Sequence, residues 1–177
     1  MVFLTLSDFT GNSFRAVYSP APEPIEPLLT ADADCIVADW HADSGAQDLH
    51  RLFESGHRIL VAECWQDVLP EAELLISSSI SGGSLRQRFR QLPAAKCWLR
   101  LERLCRTFPL PYPDGQGVPA AGLPETEGFY AEDLVCRYIH RPGEVTLFDT
   151  EETLERKIQL AQECGFRGVI YTTGISP

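Results

Sequence analysis

Short runs of β-branched and aliphatic residues alternate with amphipathic stretches along most of the chain. The extended runs are Val2–Leu6, Cys35–Trp40, Arg58–Ala62, Leu74–Ser78, Lys96–Leu101, Leu134–Ile139, Glu144–Phe148 and Gly168–Thr172. Short apolar runs separated by helical spacing predict an α/β fold on a mostly parallel sheet. The clearest helix spans Glu151–Cys164, where Leu154, Ile158 and Ala161 form one stripe. Asp149 and Glu152 suit a capping-box-like start there, and Gly165 suits the position after the last turn. Two more helices are predicted over Ala46–Glu54, with Leu49, Leu52 and Phe53 on one side, and over Leu85–Gln91, with Leu85 and Phe89 at helical spacing. Each follows a predicted strand.

Two segments break the rhythm. Ser19–Pro27 carries Pro20, Pro22, Pro24 and Pro27, which confines any helix there to Ile25–Leu29. Phe108–Glu127 is rich in proline and glycine and almost without periodicity, and reads as one long loop. His140–Glu144 reads as a tight turn, so Leu134–Ile139 and Glu144–Phe148 are expected to form an antiparallel hairpin. The 177 residues form a single domain, 1–177, in this reading.

Charge narrows the partners. With 15 Lys+Arg against 25 Asp+Glu the formal net charge is −10, which disfavours nucleic acid and an anionic lipid surface. No apolar run is long enough for a membrane span, and Met1–Leu6 lacks the marks of a secretory signal. Cys35, Cys64, Cys97, Cys105, Cys136 and Cys164 are scattered without C-x-x-C or metal-type spacing, and are read as reduced core residues of a soluble cytoplasmic protein.

The segment Asp34-Cys-Ile-Val-Ala-Asp-Trp-His41 resembles a degraded copy of D-G-x-D-x-D-x-E, the fourth-strand signature of the chitinase-like family 18 glycoside hydrolases. Asp34 stands at the first Asp and Asp39 at the third, with Trp40 in the aromatic place. Val37 replaces the middle Asp, and His41 replaces the Glu. Val2–Phe14 resembles that family's third-strand segment, with Asp8 and Phe9 where two glycines are usual. Leu147–Ile170 is similar to its closing unit, an acidic strand end, a helix carrying Lys157, and a strand beginning Gly168-Val169.

The resemblance implies a partial or minimal TIM-like (β/α) barrel of about six parallel strands with a C-terminal β-hairpin, beginning where the third strand would be. A partial barrel leaves open sheet edges, through which a homodimer is expected. In the related enzymes the motif Glu protonates the glycosidic oxygen and the third Asp orients the substrate N-acetyl group. With His41 at the Glu position, the expectation is a catalytically inactive, glycoside-hydrolase-like domain that binds an oligosaccharide or serves as a scaffold.

Strand alternation puts Val37, Asp39 and His41 on one face, toward the mouth of a barrel. Glu63 and Glu102 end predicted strands, with Trp65 and Trp98 nearby; carboxylates and indoles suit sugar hydroxyls and the apolar sugar face. The ligand-binding set expected from sequence is therefore Asp39, Trp40, His41, Glu63, Trp65 and Glu102, against a plainer reading in which Glu63 and Glu102 are solvated strand ends and Trp98 an ordinary packed residue. Neither a metal nor a cofactor is expected. Two alternatives stand beside this reading, a hydrolase of another class using Asp39, His41 and Glu63, and a protein-interaction module using the 108–127 loop. Ser77–Ser84 is weighed as an anion cradle against an ordinary turn in which Ser84 caps a helix whose arginines face solvent.

Overall fold

The computed structural model describes residues 2–22, 24–41, 45–80, 82–111, 117–120, 122–124 and 128–171. Its first unit is a barrel. An N-terminal hairpin, β1 (Val2–Asp8) and β2 (Ser13–Ser19), is followed by a short helix α1 (Glu26–Leu29), β3 (Cys35–Ala38), α2 (Ala46–Glu54), β4 (Arg58–Ala62), β5 (Glu73–Ser77), α3 (Leu85–Gln91) and β6 (Cys97–Leu101). The chain then makes a second sheet from β7 (Cys105–Pro109), β8 (Val118–Pro119), β9 (Phe129–Ala131), β10 (Cys136–Arg141) and β11 (Glu144–Phe148). It returns to the barrel through α4 (Glu151–Glu163) and β12 (Gly168–Tyr171).

Seven strands close in the order β1-β12-β6-β5-β4-β3-β2. Strands β2 to β6 and β12 run parallel, and β1 lies antiparallel to both of its neighbours. The expected partial barrel is thus corrected to a closed one: the N-terminal segment is a hairpin rather than one strand, and its first arm fills the gap. The strand that flanks β3 in parallel is Ser13–Ser19, so Val2–Phe14 does not occupy the third-strand place expected for it. Closure also removes the open barrel edges on which the homodimer was argued. The turn between β1 and β2 is held by Asp8, whose carboxylate accepts from Thr10 and Asn12, and these hydrogen bonds hold its pKa well below the usual carboxylate range.

Alternation along each strand sorts the apolar residues into two layers. Leu6, Ala16, Tyr18, Cys35, Val37, Leu60, Leu75, Trp98 and Ile170 pack inside the barrel, which is a filled core and not a channel. Ile36, Ala38, Trp40, Val61, Ile76 and Leu99 face outward against Leu49, Leu52, Phe89 and Leu160 of the helices. The barrel floor is polar but satisfied: Glu73 accepts from Arg58, from Arg167 and from the Trp98 indole, and Arg58 lies 4.5 Å over the Phe14 ring. Gly168 permits closure here, because a Cβ at this position would stand 2.5 Å from Trp98 and 2.8 Å from the Ser7 carbonyl.

The expected hairpin forms as β10 and β11, but it belongs to a five-stranded antiparallel sheet ordered β8-β7-β11-β10-β9. The segment read as one long loop therefore contributes strand residues Phe108–Pro109 and Val118–Pro119; residues 112–116, 121 and 125–127 lie outside the described residues. Two hydrogen bonds form the neck of this sheet, with the Asp149 N–H donating to the Leu104 carbonyl (2.8 Å) and the Leu104 N–H donating to Asp149 Oδ2 (2.9 Å). Lys157 donates to the same Oδ2 at 2.8 Å and Thr153 to Oδ1 at 2.9 Å, with Lys157 and Asp149 wholly buried. Asp149 is thus an internal acceptor, and the capping box is made by Thr150 with Thr153 rather than by Asp149 with Glu152. Among the described residues no helix is long and apolar enough to cross a membrane.

Candidate functional site

The C-terminal ends of the parallel strands meet at the barrel mouth, where Tyr18, Asp39, Ser77, Arg100 and Glu102 converge. Asp39 follows β3 on the inward-facing side and is nearly buried. Its Oδ2 accepts from the Tyr18 hydroxyl at 2.7 Å. Arg100 Nη1 bridges both carboxylate oxygens at 2.6 and 2.5 Å, and His41 Nε2 lies 2.9 Å from Oδ1. A carboxylate only accepts, so Nε2 carries the imidazole proton in this contact and Nδ1 is the ring nitrogen not committed to Asp39. The 3.1 Å approach of Arg100 to His41 Nε2 then sets donor against donor and is a contact, not a hydrogen bond.

Arg100 is the centre of this network. Nη2 donates to Glu102 at 3.2 Å, and Nε is buried with no partner among the described residues. Burial opposes its charge, yet the hydrogen bonds and negative charge of Asp39, with Glu102 behind them, hold its pKa above the ordinary arginine value. Burial, and then the hydrogen bond to Asp39, push the Tyr18 phenol well above its usual range, so it stays a donor. Glu102 also accepts from the Ser77 hydroxyl at 3.3 Å.

Two cavities open on this network. One, of about 400 Å³, is lined by His41, Glu63, Cys64, Ser77, Arg88 and Arg100. The other, of about 680 Å³, lies between the barrel and the second sheet, and Arg88 lines both. Arg88 comes from α3, whose N-terminus Ser84 caps by accepting from the Gln87 N–H. It donates to the Ser77 carbonyl and pairs closely with Glu63, so this arginine is turned to the mouth and is only partly exposed.

Of the residues expected from sequence, Asp39 and His41 are joined directly, and Glu63 and Glu102 stand at the cavity walls. The two tryptophans are a correction. Trp40 is wholly buried, its indole donating to the Ser19 hydroxyl, and Trp65 is buried with its indole on the Trp40 carbonyl at 2.6 Å. Outward alternation at the end of β3 and the 3₁₀ turn Glu63–Trp65 send both rings under the helices, so neither offers a face to a ligand. Asp34 precedes β3 at the opposite end of the barrel, where it accepts from the Arg15 N–H. Among the described residues no cluster of three metal-ligand side chains occurs. Among the described residues the cysteines form no disulfide; Cys35, Cys97 and Cys136 are buried as expected, Cys105 and Cys164 are half-buried, and Cys64 lies exposed at the smaller cavity.

Sequence reasoning missed Tyr18, Arg88 and Arg100. Arg100 was legible as a lone cation on the inward face of an apolar strand, two residues after Trp98. Tyr18 was not, because β2 was not recognised as a strand.

No protein-family model matches the chain, and no curated protein matches it in sequence. Among solved structures it is similar to a candidate sporulation-specific glycosylase of Bacillus subtilis, with a TM-score of 0.52 and 11% identity over 78% of this chain and 64% of that one. The chain shares that barrel fold. It also aligns with the spore cortex-lytic enzyme SleL of Bacillus megaterium (TM-score 0.48, 12% identity, 78% of this chain and 45% of that one). A family GH18 chitinase of Cycas revoluta, solved in complex with allosamidin, aligns at a TM-score of 0.46 and 13% identity, over 78% of this chain and 62% of that one. The chain thus spans less than two thirds of the length of each of these proteins.

Proposed function

We propose that this barrel binds an oligosaccharide at its mouth and does not cleave it. The observation that carries the reading is the state of Asp39. Its two oxygens are occupied by Tyr18, Arg100 and His41, and His41 stands at the motif position where the resemblance puts the acid. An Asp clamped by a buried arginine is not free to orient a reacting N-acetyl group, and His41 spends its proton on Asp39. What remains is a set of fixed donors and acceptors, His41 Nδ1, Glu63, Glu102 and Ser77, beside cavities of a size that suits sugar rings. We place this activity in the cytoplasm, where unbridged thiols are kept reduced.

The test is calorimetric titration with the N-acetylglucosamine tetramer, followed by chromatography of the same sample. The expected result is a saturable heat with the tetramer intact, weakened about three- to tenfold in His41→Ala, the worth of one hydrogen bond. Shortened oligomers would overturn the non-hydrolytic part, and absence of heat with neutral and acidic oligosaccharides alike would overturn the binding part. Tryptophan fluorescence is a poor reporter here, because Trp40, Trp65 and Trp98 are all buried.

A further inference from the structure

The chain carries a formal charge of −10, yet the larger cavity reverses that sign locally: Arg88, Arg103 and Arg106 line it against Glu102. We propose that this cavity receives the carboxylate of an acidic saccharide, an inference that rests on the oligosaccharide reading above and names its ligand class. Planar guanidinium groups match a carboxylate in two-point geometry, which neutral sugars do not need.

The arginines are held for such a role to different degrees. Arg88 is positioned, tied to the Ser77 carbonyl and to Glu63 while its side chain keeps 29% exposure to the cavity. Arg103 pairs with Glu151, whose side chain is 77% exposed, a solvent-screened partner that a ligand carboxylate can replace at little cost. Ser79 lines the same cavity, and its hydroxyl is buried with no partner among the described residues, leaving a donor for a ligand oxygen. A carboxylate fits better than a phosphate, because Glu63 and Glu102 stand close by and a doubly charged group would meet their repulsion. The same glutamates accept hydroxyls, so a sugar ring bearing one negative charge satisfies both walls.

The experiment compares two probes on the intact chain by calorimetry, the neutral N-acetylglucosamine tetramer and a hyaluronan tetrasaccharide, in which N-acetylglucosamine alternates with glucuronate. At low salt the hyaluronan probe is expected to bind about tenfold more tightly. That preference should shrink at high salt and disappear in Arg103→Gln, with the neutral probe unaffected; Arg103→Lys should recover only part of it, having charge without the planar fork. Equal affinity for the two probes, or tighter binding of the neutral one, overturns the acidic class and leaves the oligosaccharide reading in place. A preference that survives both Arg103→Gln and Arg88→Gln places the anion elsewhere and overturns the assignment. Failure of both probes to bind overturns both readings together.

Discussion

Among the described residues two carboxylates, Asp39 and Asp149, are buried, each paired with a cation, and they are built differently. At the neck, Asp149 is enclosed with Lys157, Thr153 and the Leu104 amide, and both charged side chains are fully buried. At the mouth, Asp39 is as well bonded, but its partners lead outward: Arg100 lines the smaller cavity, and His41 beside it is 59% exposed. The first arrangement joins two parts of the fold and offers nothing to a ligand. The second has the cost of buried charge without the seal, which is what a binding site requires.

The largest expected effect tests the neck. Lys157→Met or Asp149→Asn leaves its partner buried and uncompensated, and should cost about 3–5 kcal/mol in denaturant unfolding. The double variant Asp149→Leu/Lys157→Met should recover much of that loss. At the mouth, Arg100→Met is expected to cost less, about 1–2 kcal/mol, since Asp39 keeps Tyr18 and gains water from the cavity. Equal losses at the two sites, in the same urea titrations, would break the comparison.

The next effect is in pH. Burial pushes the thiols of Cys35 and Cys97 up to about 12, and that of Cys136, beside the neck, up to about 11. A group whose folded pKa is raised contributes stability that is complete below its unfolded value, about 8.5, and lost as pH rises through the folded one. The melting temperature should therefore fall as pH climbs from 9 to about 11, and fall less steeply in Cys136→Ala. Thiol labelling separates the regions more gently: at pH 8 iodoacetamide should modify exposed Cys64 first and spare Cys136 until the chain unfolds. Simultaneous labelling would mean that the neck opens as readily as the mouth. The smallest change is His41→Glu, which restores a carboxyl group at the motif position. Its stability should fall by about 1 kcal/mol, the hydrogen bond to Asp39 being exchanged for a second carboxylate, and chitin oligomers should remain uncut because Arg100 still holds Asp39.

Much of the barrel was legible in the sequence because its parallel strands are buried on both faces and read as apolar runs; Arg58–Ala62 and Ala46–Glu54 carry the boundaries expected of them. The same apolar rule hid β2. Ser13-Phe-Arg-Ala-Val-Tyr-Ser19 mixes polar and apolar positions, having a floor, a core and a mouth within seven residues. Alternation placed Val37 and Asp39 inward and, applied one residue further, would have sent Trp40 to the core. Pairings such as Asp39 with Arg100 are beyond reach from sequence, since 61 residues separate them and only barrel closure brings them together.

That closure rests on a narrow seam. Among the described residues, Ser7 with Val169 and Asp8 with Gly168 pair β1 with β12, continued by the Phe9 N–H on the Arg167 carbonyl, while β1 runs beside β2 from Val2 to Ser7. β1 and β12 are the first and last of these strands along the chain, so the barrel can close only once residues 168 and 169 have been made. A contact of such long sequence separation is expected to be among the last to form, so the seam should be the slow step in refolding rather than the source of the barrel's stability.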